Sequence, residues 1–170
     1  VEHDPHAAAV LVTTDQEVAE AVGRAIDAMA ASSPRREIVE QALANSGYVV
    51  GDSLPEAAVA VDLIAPEHLS IQVADPLAML MAVRNAGSIF LGPYSPVACG
   101  DYAAGTNHVL PTAGHAATRS GLDVRHFCKT STVQQLSREG LETIADTVEA
   151  IATAEGLAAH AASVRVRRGQ

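Results

Sequence analysis

Short apolar runs alternate with helix-periodic segments through the first half of the chain, and no hairpin dipeptide such as Asn-Gly joins any two of them. Runs of that kind lie parallel and are joined by covering helices, so ligands gather at the carboxyl ends of the strands. Residues 7–13 (AAAVLVT) predict a buried strand, followed by a helix capped by Thr14 or Asp15. Val18, Ala21, Val22, Ala25, Ile26 and Met29 form its apolar stripe, and Ser32-Ser33-Pro34 stops it and starts another helix to Ala44. A strand over 48–50, a helix over 54–65 with Pro55 in its first turn and a strand over 69–73 follow. Asp75-Pro76 opens a helix that closes at Gly87, and Ser88-Ile89-Phe90-Leu91 is a fourth strand.

With 48% hydrophobic but only 3% aromatic residues and no Trp among 170, the core must use small and aliphatic side chains at close distances. A net charge of -9 repels phosphate backbones and anionic lipid, which argues against nucleic-acid and membrane partners. Arg165, Arg167 and Arg168 read as a solvated helix end, and Cys99 and Cys128, without CxxC spacing, as small half-buried residues. No apolar run reaches the roughly 18 residues of a bilayer span and no signal peptide opens the chain, so the expected location is cytoplasmic. The start at Val1, without an initiator Met, reads as a piece cut from a longer chain.

Residues 92–121 lack periodicity and are rich in Gly, Pro, Thr and His, and a loop that long is where function is expected. A short strand is expected over 129–133, then a long helix capped by Ser137, a break at Gly156 and a last helix over 157–166. The helix stripe Leu141, Ile144, Ala145, Val148 and Ile151 has no further strand to cover it.

Four polar groupings stand out. Glu67-His68 sets a carboxylate beside an imidazole, a pair able to serve two proton transfers or simply to face solvent. Gly100-Asp101-Tyr102 and Gly105-Thr106-Asn107-His108 place an Asp and a His among glycines, as a site or as an Asx turn with a surface His. Glu155 with His160, and His3, complete a His and carboxylate set that suits Zn or Mn but matches no local metal motif. His6, His115 and His126 read as surface or structural. Neither GxGxxG nor GxxxxGK[ST] is present, so a nucleotide would be held mostly elsewhere.

The strings IAPEHL (64–69), NAGSIFLG (85–92) and GDYAAGTNHVLPT (100–112), with Glu155-Gly156-Leu157, His160 and Glu2-His3-Asp4-Pro5, resemble the C-terminal part of histidinol dehydrogenase across essentially the whole chain. The resemblance implies an α/β fold, an incomplete Rossmann-like parallel sheet with helices on both faces and a helical C-terminal tail. Residues 1–122 would form the catalytic half-domain and 123–170 a mostly helical dimerisation tail. It implies a zinc-dependent oxidation of L-histidinol through the aldehyde to L-histidine with two NAD, the last step of histidine biosynthesis. His3, Asp101 and His160 match zinc ligands, and the fourth, a Gln, falls just before Val1. Glu67 and His68 match the acid–base pair, and His3, His68, Asp101, His108, Glu155 and His160 the substrate site. NAD would be bound mainly by the missing N-terminal portion, and the isolated chain would be inactive. In a homodimer the tails would cross, so Glu155 and His160 would complete the partner's site. The competing readings are a related zinc and NAD dehydrogenase of another small polar alcohol, and a non-catalytic metal-binding dimerisation fragment.

Overall fold

In the computed structural model, which describes residues 1–169, the chain divides into two compact units, Val1–Phe127 and the remainder from Cys128. In the first unit, β1 (Val10–Thr13) leads into α1 (Gln16–Ala31), whose N-cap is Asp15 with its carboxylate accepting from the Glu17 and Val18 amides. Then come α2 (Arg36–Leu43), β2 (Gly47–Val50), α3 (Leu54–Ile64), β3 (His68–Ile71), α4 (Pro76–Ala82) and β4 (Ser88–Leu91). Ser53 caps α3 and Asp75 caps α4, each with a proline in the first turn where its missing N–H costs nothing.

All strand pairing among the described residues is parallel, as the alternation requires. It forms two two-stranded ladders, β1 with β2 and β3 with β4, in place of one continuous sheet. Leu69, Ile71, Ile89 and Leu91 of β3 and β4 pack with Ala57 and Ala58 of α3, Met79 of α4 and Val12 of β1. Two-residue periodicity therefore turns His68 and Ser70, with their register partners Ser88 and Phe90, to the opposite face.

Three segments depart from the sequence expectation. The helix expected to run to Gly87 ends at Ala82, and Val83 is extended at φ −89°, ψ 139°. The Asp62 carboxylate accepts from the amides of Arg84 (2.7 Å) and Asn85 (2.9 Å), which a continued helix would have turned back on its own carbonyls. The long loop contains α5 (Val97–Tyr102), a helix too short to show a period, and two 3-10 turns follow it, His115–Ala117 and Val124–Phe127. No strand forms over 129–133, and no strand among the described residues pairs with that run. Cys99 and Cys128 are exposed, not half-buried.

The second unit is a helical hairpin, α6 (Arg138–Ala154) and α7 (Ala158–Arg168), closed over buried Ala145, Ala152 and Ala161. Its turn is a Schellman motif: Gly156 sits at φ 74°, the Leu157 amide donates to Ala152 O and the Gly156 amide to Thr153 O. The arginine end is more than a solvated helix terminus. Arg168 meets Glu142 at 3.0 Å, Asp146 at 2.6 Å and Glu149 at 3.3 Å on α6, and these carboxylates push its already high pKa further up. No helix among the described residues is long and apolar enough to cross a membrane.

Candidate functional site

The site begins where α3 stops. Pro66 bars the helix from continuing, and the residue before it, Ala65, takes the left-handed conformation (φ 47°, ψ 62°), which an L residue adopts only under strain. That turn delivers Glu67 and His68 to the first rung of the β3–β4 ladder, at the amino end of the strands and not the carboxyl end that the parallel pattern predicts. The Gly87 amide donates to Pro66 O (2.9 Å) and the Ser88 amide to Glu67 O (2.8 Å), so both peptides beside Glu67 are clamped. A Cβ on Gly87 would lie 2.6 Å from Glu67 O, so only glycine permits this approach.

His68 lies between two carboxylates. Its Nδ1 is 3.8 Å from Glu67 Oε1, and its Nε2 is 3.7 Å from Asp101 Oδ1 on α5. Both separations are longer than hydrogen bonds. Nε2 is shielded from solvent and has no hydrogen-bond partner among the described residues. The imidazole stacks on Phe90, with centroids 5.9 Å apart and planes at 29°. Phe90 in turn packs against the backbone of Gly100, where a Cβ would come within 2.6 Å of its ring. This contact lets α5 approach closely enough to set Asp101 beside His68. All three polar side chains stay partly accessible, between 24% and 36% exposed, so a small solute can reach them.

The structure thus brings Asp101 to the adjacent pair Glu67 and His68, from which it is far in sequence. His108 is exposed on the loop after α5, which Asn107 secures by accepting from the Val109 amide and donating to Leu122 O. His3 is exposed on the N-terminal segment, which Asn45 holds by donating to Pro5 O. Glu155 and His160 belong to the second unit, Glu155 as the C-cap of α6 and His160 in the first turn of α7. Among the described residues no three His, Cys, Asp or Glu side chains are disposed to hold a metal ion. His3 and Asp101 belong to the first unit and His160 to the second.

Sequence reasoning missed Phe90, Asp62 and Asn85. Phe90 stands in the sequence only as part of the fourth strand, although alternation from His68 and Ser70 across the ladder puts it on the site face.

A helix-covered parallel α/β unit with an imidazole flanked by carboxylates at a strand start holds groups able to accept and donate protons. The comparisons make this specific: the histidinol dehydrogenase family model matches residues 1–168, and the chain belongs to that family. It is 51% identical over 168 residues to histidinol dehydrogenase of Methanosarcina mazei, covering 99% of this chain and 39% of that protein. It is equally 51% identical to the Haloarcula marismortui enzyme, covering 98% of this chain and 40% of the relative. The crystal structure of histidinol dehydrogenase from Elizabethkingia anophelis superposes with a TM-score of 0.88 at 36% identity, over 98% of this chain and 38% of that one. The chain thus spans about two fifths of the length of these relatives.

Proposed function

We propose that this chain is the C-terminal portion of a cytoplasmic histidinol dehydrogenase that oxidises L-histidinol through L-histidinal to L-histidine, the last step of histidine biosynthesis. The observation that carries the reading is His68 held between Glu67 and Asp101 within a chain of that family. Leu63 (82% exposed) and Met81 (85%) lie bare on α3 and α4, which suits a unit that a further portion covers.

The first oxidation removes a hydride from the carbinol carbon and a proton from its oxygen, and His68 takes that proton. Glu67 deprotonates the water that adds to the aldehyde, and the hydrate then loses the second hydride and proton to become the carboxylate. NAD, held mainly by residues outside this chain, supplies the two hydride acceptors. Asp101 faces the far nitrogen of His68 and steadies the imidazolium that forms. Adjacent groups of different basicity suit two such successive steps. His108 and Glu155 complete the substrate pocket in this reading, Glu155 meeting the substrate amine.

Zinc is assigned to His3 and Asp101 of one copy with His160 of a second, in a homodimer whose tails cross. Ile144 (41% exposed) and Ile151 (55%) lie uncovered on α6, which supports a second copy there. In the protein with its N-terminal portion restored, Glu67→Gln should impair turnover of L-histidinal more than that of L-histidinol. Equal losses on the two substrates refute the division of labour. Mixing a His160→Ala enzyme with an Asp101→Ala enzyme should restore activity, because one site of each mixed dimer then carries neither lesion. Subunit exchange shown by mass without recovered activity refutes the crossed tails.

A further inference from the structure

Asp62 lies on α3, outside the catalytic grouping, yet it is the start of a chain of hydrogen bonds that ends on Glu67. Its Oδ1 accepts from the amides of both Arg84 and Asn85, at 2.7 and 2.9 Å. The Asn85 side chain returns a bond of 3.0 Å to the backbone carbonyl of Asp62. Three bonds thus join the last turns of α3 to the two residues that follow Val83. Two residues further on, Gly87 and Ser88 donate to the carbonyls of Pro66 and Glu67.

We propose that Asp62 and Asn85 are positioning residues for Glu67 and His68, an inference that rests on the functional reading above. Three features carry it. A carboxylate receiving two consecutive amides is a charge-assisted contact, stronger than a neutral one, and here it overrides the helix that the sequence pattern would otherwise continue. The Ala65 turn is strained, so Glu67 needs an outside restraint to remain where it is. The clearance at Gly87 is so small that a slip of the 84–87 segment would push directly on the Glu67 carbonyl. The latch therefore sets the position of the acid–base pair along the ladder, while Phe90 sets the tilt of the imidazole.

The test uses the protein with its N-terminal portion restored, comparing wild type with Asp62→Leu, Asp62→Asn and Asn85→Ala. Leucine is close in size but accepts no hydrogen bond, whereas asparagine keeps an oxygen for both amides. In Asp62→Leu the amides of Gly87 and Ser88 should exchange with solvent faster and the His68 imidazole resonances should move. kcat on L-histidinol should fall by about 10²-fold, the loss that a misplacement of about 1 Å produces, with KM nearly unchanged. Asp62→Asn should recover most of that kcat. Asn85→Ala, which removes one bond and remains available if Asp62→Leu does not fold, should show the same changes to a smaller degree. Wild-type His68 resonances and kcat in a folded Asp62→Leu or Asn85→Ala protein overturn the proposal. The amide and imidazole readings need no substrate, so they decide on the latch even if the wild type fails to oxidise L-histidinol, a result that refutes the functional reading alone.

Discussion

Adding a single methyl group at Gly100 should cost more activity than stability. The new Cβ would lie 2.6 Å from Phe90 Cε1, 2.9 Å from Cζ and 2.9 Å from Thr106 Oγ1. Carbon atoms settle at about 3.5–4.0 Å, so α5 or the Phe90 ring must retreat by roughly 1 Å. Overpacking of this kind costs about 1–3 kcal/mol. Against that, alanine has about 1 kcal/mol more helix propensity than glycine, and position 100 is helical. The net destabilisation is therefore small, about 0–2 kcal/mol by these two opposing terms. The geometric effect has no such offset. If α5 moves, Asp101 leaves Nε2 of His68, and if the ring moves, the imidazole loses its stacking partner. A misplacement of about 1 Å at a reacting group is worth about 10²-fold in rate. Urea denaturation and steady-state NADH production by Gly100→Ala, in the protein with its N-terminal portion restored, measure the two effects on one sample. A kcat within about threefold of wild type, far from the 10²-fold expected for such a shift, refutes the argument that this contact sets Asp101.

Two further outcomes are expected. Gly23→Ala should raise stability by about 0.5–1 kcal/mol in urea denaturation, because position 23 lies inside α1 and nothing stands within 4 Å of the added methyl; a loss would show that α1 is not exposed there. Folding lowers the Glu139 pKa from its ordinary 4.5, through the bond from its own amide and then that with Ser137, so the folded state binds its proton less readily. The stability this contributes is fully present above pH 4.5 and is lost as pH falls through the lower folded value. Circular dichroism during acid titration should show a later helix loss in wild type than in Ser137→Ala, and identical titrations would count against it.

The parts of the fold that local chemistry decides were legible from the residues. Asp15, Asp75 and Ser137 cap the helices expected of them, Gly156 turns between the last two, and Ser88–Leu91 is a strand end to end. The failures fall where a distant group decides. The end of α4 depends on a carboxylate from α3, more than twenty residues earlier, and no property of residues 83–86 announces it. The run at 129–133 has strand composition, but a strand exists only where another edge accepts its hydrogen bonds. The six residues of α5 are too few to show a period.

The candidate site divides along the same line. Glu67 and His68 are adjacent, so their pairing is visible in the string itself. Asp101 joins them through packing alone, by way of a phenylalanine and a glycine that read as strand and loop. Yet one signal was present. Along 68–71 the order His, Leu, Ser, Ile alternates polar with apolar, which is the pattern of a strand buried on one face only. With Leu69 and Ile71 inward, His68 must face the other side. In a parallel ladder, Phe90 then has to share that side with it, because its partner Ser70 does. An aromatic residue on the polar face of a half-buried ladder is therefore a support for the site, and a helix that packs on it brings its own side chains to the histidine. Asp101 follows from that geometry as the second carboxylate, whereas His3, His108, Glu155 and His160 lie on segments that no such ladder rule reaches.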